Sequence, residues 1–180
     1  MTMRILLSLS FIMVGTMPLA AQGPAEAKSP EAGTEQLFRE GEQAYNIGSY
    51  AKAIGYYDQV LALDPDHLNA YLQRGFCYSL QRDYVKAVAD FTEVIARKND
   101  HQWAYTSRGS AYHKLGEYDL AMRDFETVIA MDAKNQEAYN NRGWTRKATG
   151  DMVGACADWK TSQKLGNSEA KIIRENNRCK

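Results

Sequence analysis

Gln102–Asn135 reads QWAYTSRGSAYHKLGEYDLAMRDFETVIAMDAKN. Within it Tyr105, Gly109, Tyr112, Gly116, Tyr118, Ala121 and Phe125 fall into two helix-period stripes, parted by Lys114-Leu115-Gly116-Glu117. Small and aromatic residues three and four apart share one helix face, and a glycine between two such faces marks a helix end. The stretch therefore predicts two helices joined by a tight turn.

Moved 34 residues upstream, the pattern returns as Tyr71, Arg74, Gly75, Tyr78, Tyr84, Ala87, Asp90, Phe91, Val94 and Ile95. Moved 34 downstream, it returns as Tyr139, Arg142, Gly143, Gly150, Ala155, Asp158, Trp159 and Leu165. A fixed period of this length marks a stacked repeat and outranks any local reading. Another copy spans Thr34–His67, with Leu37, Gly41, Ala44 and Tyr45 before Gly48-Ser49 and Ala53, Ile54, Tyr57, Val60 and Leu61 after it. Its helices are expected at 35–47 and 50–63. Pro65 closes the copy, because proline lacks the amide hydrogen a helix needs. Asn99 and Ala133 stand where later copies could repeat that proline, so those junctions are expected to run more continuously.

This tyrosine–glycine–alanine–aromatic pattern resembles the tetratricopeptide repeat, from Thr34 to about Ser168. The resemblance implies an all-α fold, a right-handed superhelical solenoid of about four antiparallel helix pairs with a concave groove. The copies fall at 34–67, 68–101, 102–135 and 136–167. The segment 168–180 reads as a capping helix and tail, with Ala170, Ile172 and Ile173 on its apolar side.

Two columns predict how each pair packs. Glycine in mid-helix costs ~1 kcal/mol relative to alanine. Gly41, Gly75, Gly109 and Gly143 share one register, so a close approach between helices is expected there. Tyr57, Phe91, Phe125 and Trp159 share the matching register of the second helix. In the last three copies an arginine precedes the glycine and an aspartate precedes the aromatic, giving Arg74 with Asp90, Arg108 with Asp124 and Arg142 with Asp158. The first copy has Glu40 and Tyr56 instead. Joint presence and joint absence predict a structural ion pair across each helix pair. Arginine suits a two-pronged carboxylate contact. Repetition in several units argues for a brace over a catalytic carboxylate.

The fourth copy departs from the others at Ser162-Gln163, where the second and third carry Val-Ile. A polar outer face is expected of a terminal repeat.

The start of the chain differs in kind. Met1–Arg4 is a short basic opening, Ile5–Val14 is almost wholly apolar, and Met17-Pro18-Leu19-Ala20-Ala21 supplies small residues. Residues 1–21 read as a signal peptide cleaved near Ala21, because the apolar run is shorter than the ~20 residues a membrane span needs. Residues 22–33, with Gly23, Pro24, Pro30 and Gly33, read as a flexible linker. The protein is thus expected to be exported, to a periplasmic or extracellular location. Export permits disulfides. Of the three cysteines, Cys156 and Cys179 approach each other if the cap folds back, the alternative being two separate thiols. Cys77 is expected as a buried thiol.

Lys and Arg total 22, as do Asp and Glu, which gives no electrostatic case for nucleic acid or an anionic membrane. No phosphate-binding glycine loop, nucleophile elbow or metal-ligand spacing occurs, so no catalytic residue, metal or cofactor is expected. His67 and His101 share a junction register with Asn135 and read as helix-start residues.

Binding is the better expectation. In the architecture the resemblance implies, first helices line the groove. The candidate groove residues are Phe38, Glu42, Leu72, Phe76, Trp103, His113, Trp144 and Lys147. The opposing reading is that these aromatics are ordinary core. Glu35 and Glu42 lie toward one end of the groove, and Lys114, Arg146 and Lys147 toward the other. Family members that bind chaperone tails clamp two carboxylates with Lys, Asn and Arg. Here Phe38, Glu42, Gln73, Trp103 and Ser107 stand at the equivalent places, which argues against that clamp. The expected function is a non-catalytic adaptor for a protein or peptide. The rivals are a subunit that self-associates through the solenoid ends and an unrecognised enzyme or ligand carrier.

Overall fold

The computed structural model describes residues 30–179. The leader reading and most of the linker reading lie outside those residues. Nine helices follow in chain order among the described residues: α1 Pro30–Asn46, α2 Tyr50–Leu63, α3 Leu68–Leu80, α4 Tyr84–Arg97, α5 Gln102–Leu115, α6 Tyr118–Met131, α7 Gln136–Ala148, α8 Met152–Lys164 and α9 Glu169–Asn176. Each packs on the next in sequence, and α1, α3, α5 and α7 also meet one another in series. That second set of meetings puts α1, α3, α5 and α7 on one inner wall.

Two expectations need correction. Residues 30–33 belong to α1, not to a linker. A proline suits the first helical position, where the amide hydrogen it lacks would find no partner. The junctions without proline are also no more continuous than the first. Asp64, Lys98 and Asp132 all leave their helices in extended backbone, with φ/ψ of −133/91°, −140/91° and −142/98°. The next helix start supplies the reason. His67 and His101 accept the amide hydrogens of Ala70 and Ala104 through Nδ1, at 3.1 and 3.2 Å, and Asn135 Oδ1 accepts that of Ala138 at 2.9 Å. These caps satisfy backbone donors that would otherwise be orphaned, so they fix the break whether or not proline precedes it.

Packing within each pair turns on the glycine column. An added Cβ at Gly41, Gly75, Gly109 or Gly143 would lie 2.5–2.8 Å from the ring of Tyr57, Phe91, Phe125 or Trp159 respectively. Those rings are at most 1% exposed. The glycines are therefore the notches into which the aromatics of α2, α4, α6 and α8 fit. Ala53, Ala87, Ala121 and Ala155 are fully buried on the same helices.

The arginines tie neighbouring pairs together. Arg74 donates to both oxygens of Asp90 at 2.9 and 2.7 Å, Arg108 to both of Asp124 at 2.9 and 2.8 Å, and Arg142 to both of Asp158 at 2.9 and 2.7 Å. The same guanidinium reaches backward to the preceding repeat: Arg74 to Asp58 at 2.6 Å, Arg108 to Thr92 at 3.1 Å, and Arg142 to Glu126 at 4.0 Å. Each arginine thus joins the helix 16 residues behind it to the helix 16 residues ahead. The hydrogen bonds from Arg74 to Asp90 hold that guanidinium charged, raising it above its ordinary range.

The fourth pair differs from expectation. Ser162 occupies the column of Val60, Val94 and Val128, yet it is fully buried and not part of an outer face. Its hydroxyl donates to the Gln136 carbonyl at 2.8 Å and accepts from Asn167 at 3.0 Å. A buried hydroxyl is tolerated when paired in this way. Gln163 is taken up by Arg174 of α9, which donates to it at 2.8 Å.

Candidate binding groove

The inner wall is built from faces of α1, α3, α5 and α7 that the aromatic columns do not cover. Its sequence-derived residues divide into two sets. Phe38, Leu72 and Phe76 are half-buried and pack inward. Phe38 lies against Tyr57 and His67, at ring distances of 5.7 and 4.9 Å, and Phe76 meets Phe91 edge-on at 5.4 Å. Leu72 packs against the buried cluster of Ala87, Phe91 and Ala111. Glu42 is half-buried on α1. The two tryptophans behave differently, Trp103 remaining 66% exposed and Trp144 36%. Trp144 stands edge-on to buried Trp159 at 5.0 Å, which fixes its ring while leaving one side open.

Beside Trp144 lies a cavity of about 280 Å³ between α5 and α7, lined by Ser110, His113, Lys114, Phe125, Asn141 and Trp144. Phe125 forms its floor, and the rest of the lining is polar or aromatic. His113 is oriented from the next repeat. The hydroxyl of Thr145 donates to the Asn141 carbonyl at 3.0 Å, so the 3.1 Å contact with His113 is a donation from Nδ1–H. That assignment leaves Nε2 as an acceptor. Burial, and secondarily the Lys114 ammonium, lower the His113 pKa below its ordinary value. The wall thus presents an aromatic face, a neutral imidazole and an ammonium within one recess.

Lys147 carries its ammonium 5.1 Å above the Trp144 ring and donates to Asn177 Oδ1 at 2.6 Å. Arg146, read from sequence as part of the basic end of the groove, instead faces α8. Its guanidinium reaches Asp158 at 2.9 Å and the Gly154 carbonyl at 3.3 Å. The helical period explains the error: Arg146 lies one turn beyond Arg142 and reaches the same carboxylate. The sequence reading placed Ser110 and Lys114 in the groove but missed Asn141, and it did not gather the three into one recess. Asn141 and Ser110 belong to different repeats, and a column-by-column reading does not join them.

The three cysteines separate cleanly. Cys156 and Cys179 form a disulfide with Cα atoms 5.4 Å apart, fastening the chain after α9 to α8. Cys77 is free and buried, and burial pushes its thiol up to about 11. No group of three or more His, Cys, Asp or Glu side chains able to hold a metal occurs among the described residues. No helix among them is long and apolar enough to cross a membrane.

Helix pairs in single file, notched by glycine and leaving one wall open, define a helical repeat solenoid. The chain belongs to the tetratricopeptide repeat family, whose profiles match residues 34–67, 56–89 and 104–135. Its fold is the right-handed superhelix of that family, closed by α9. MamA from Desulfovibrio magneticus RS-1 is similar in fold, 22% identical with a TM-score of 0.72 over 80% of this chain and 79% of that one. The first repeat domain of Spaghetti (RPAP3), solved with the HSP90 peptide SRMEEVD, is 25% identical with a TM-score of 0.62 over 65% and 93%. The second repeat domain of human RPAP3, solved with the HSP70 peptide SGPTIEEVD, is 25% identical with a TM-score of 0.63 over 66% and 98%. No curated protein matches the chain.

Proposed function

We propose that this protein is a non-catalytic interaction module that holds an extended segment of a partner protein along its inner wall. The observation that carries this reading is the recess between α5 and α7, with Trp144 half open beside it and Trp103 exposed on the same helix layer. Large aromatics left accessible at a concave surface are the residues that dominate protein contacts. The RPAP3 domains that hold peptides lend support at the level of the fold. The carboxylate clamp of the chaperone-tail binders is replaced here by Phe38, Glu42, Gln73, Trp103 and Ser107, so the partner is gripped by other means. Lys114 at one end and Glu35 and Glu42 at the other favour a segment whose acidic end lies toward the fourth repeat.

The protein is also proposed to be exported, with residues 1–21 as leader and the stretch after them as tether. The apolar run 5–14 and the Cys156–Cys179 bridge both support an oxidising compartment.

Selection from a displayed random-peptide library, followed by titration of the winners, tests the binding reading. Binding is expected to weaken at least ~10-fold in the Trp103→Ala/Trp144→Ala variant, which corresponds to ~1.4 kcal/mol. Helical circular dichroism should be unchanged. Equal affinity for both proteins would overturn the groove reading. A charge-reversed copy of the winning peptide with undiminished affinity would overturn the polarity. Assembly that grows with concentration and ignores the double variant would favour self-association through the solenoid ends.

A further inference from the structure

We infer that the Cys156–Cys179 bridge is a thiol-sensitive latch, whose opening frees α9 and loosens the groove wall at Lys147. The proposal goes beyond peptide binding and stands without it.

The cap is weakly held apart from the bridge. α9 spans eight residues, below the length at which a helix persists alone in water. Only Ala170 is fully buried, Ile173 is half-buried, and Ile172 remains 59% exposed. Its polar ties beyond its own turn are the Arg174 bond to Gln163 and the Asn177 bond to Lys147. The Asn177 amide donates to the Ile173 carbonyl at 2.7 Å, and the bridge, attached two residues further on, holds the end of α9 that carries it. Asn177 in turn holds the ammonium that lies over Trp144, the ring that walls the recess. A single covalent bond therefore anchors a chain of contacts running from the outer end of the molecule to its inner wall. Both cysteines are only partly buried, and Met152, Val153, Lys160 and Arg178 line an open depression beside them. An attacking thiolate can reach the sulfurs there, in contrast to Cys77, which is fully buried.

The step is an exchange with a dithiol reductant. Its thiolate attacks one sulfur, the Cys156–Cys179 bond breaks, and a mixed disulfide forms. The second thiol of the reductant then displaces the remaining sulfur. Two electrons and two protons arrive on Cys156 and Cys179, and the reductant leaves as its own disulfide.

Amide hydrogen exchange on the full chain, before and after a soluble dithiol, tests the latch, with mass spectrometry counting thiols. Reduction is expected to raise exchange across 170–179 at least tenfold and to shift tryptophan emission, with α1–α6 unchanged. Cys156→Ser/Cys179→Ser should reproduce both effects without reductant. Asn177→Ala should shift the emission while leaving the bridge intact and α9 protected. Unchanged α9 protection in a chain carrying three counted thiols would overturn the latch. Equal loss of protection in all helices would also overturn it, making the bridge a general brace. An emission blind to both reduction and Asn177→Ala would sever the proposed link to the inner wall.

Discussion

Gly75 and Gly55 carry the same side chain and opposite expectations. A Cβ at Gly75 would sit 2.7 Å from the Phe91 ring, whereas one at Gly55 on α2 meets nothing within 4 Å. Gly75→Ala is therefore expected to lower stability by ~1–3 kcal/mol through overpacking. Gly55→Ala is expected to raise it by up to ~1 kcal/mol, because alanine is the better helix former. Urea melts of the two variants read both signs, and a stabilising Gly75→Ala would show that the notch is not tight. His113 gives a second residue-level expectation. Its pKa is lowered by burial, so the unfolded chain takes up this proton first as pH falls. Between the ordinary value and the lowered one the unfolded state binds more protons, and stability drops with falling pH across that window. Urea melts from about pH 7.5 to about pH 5 should show a shallower loss in His113→Gln than in the parent. Identical slopes would mean the ring is not desolvated. The glycine notches were legible because a costly residue recurring at one register demands a packing cause. The ring assignment at His113 was not, because it depends on a hydroxyl supplied 32 residues later.

Between elements, the arginine–aspartate pairs decide how firmly helices hold their neighbours. Asp124 is 4% exposed and accepts two bonds from Arg108. Arg108→Ala would leave that carboxylate buried and unpaired, at an expected cost of ~3–5 kcal/mol. Arg108→Met/Asp124→Leu removes both charges at similar volume and is expected to recover most of the loss. Denaturant midpoints of the parent, the single variant and the double variant measure this, and a double variant no better than the single would reject the pairing account. The pairs could be read before any coordinates because both residues vanish together in the first repeat. The backward contacts to Asp58, Thr92 and Glu126 could not, since the threonine breaks the run of carboxylates at that register. Helix ends show the same division. The histidine caps were visible as a shared register, but the weight given to proline was misplaced. A cap satisfies donors from the far side of a junction, and Asn99 and Ala133 can stand where the first repeat has Pro65.

For the molecule as a whole, the period was written plainly in the sequence and the groove only partly so. Stacking columns repeat, and repetition is detectable in a single chain. Contact surfaces have no reason to repeat, which is why Phe38 and Phe76 proved to pack inward while Trp103 and Trp144 stay accessible. Neighbouring repeats are bound through local contacts alone, and that makes length negotiable. Each guanidinium finds one partner 16 residues upstream and another 16 downstream, so its grip spans a seam without depending on what lies further along. Excising 102–135 would splice His101 to Gln136 and bring Arg142 within reach of Thr92, the hydroxyl that Arg108 uses now. A shortened chain lacking that whole cassette is expected to melt cooperatively with its helicity per residue kept. One cut by about half as much should not, because the surviving arginine would face a mismatched edge.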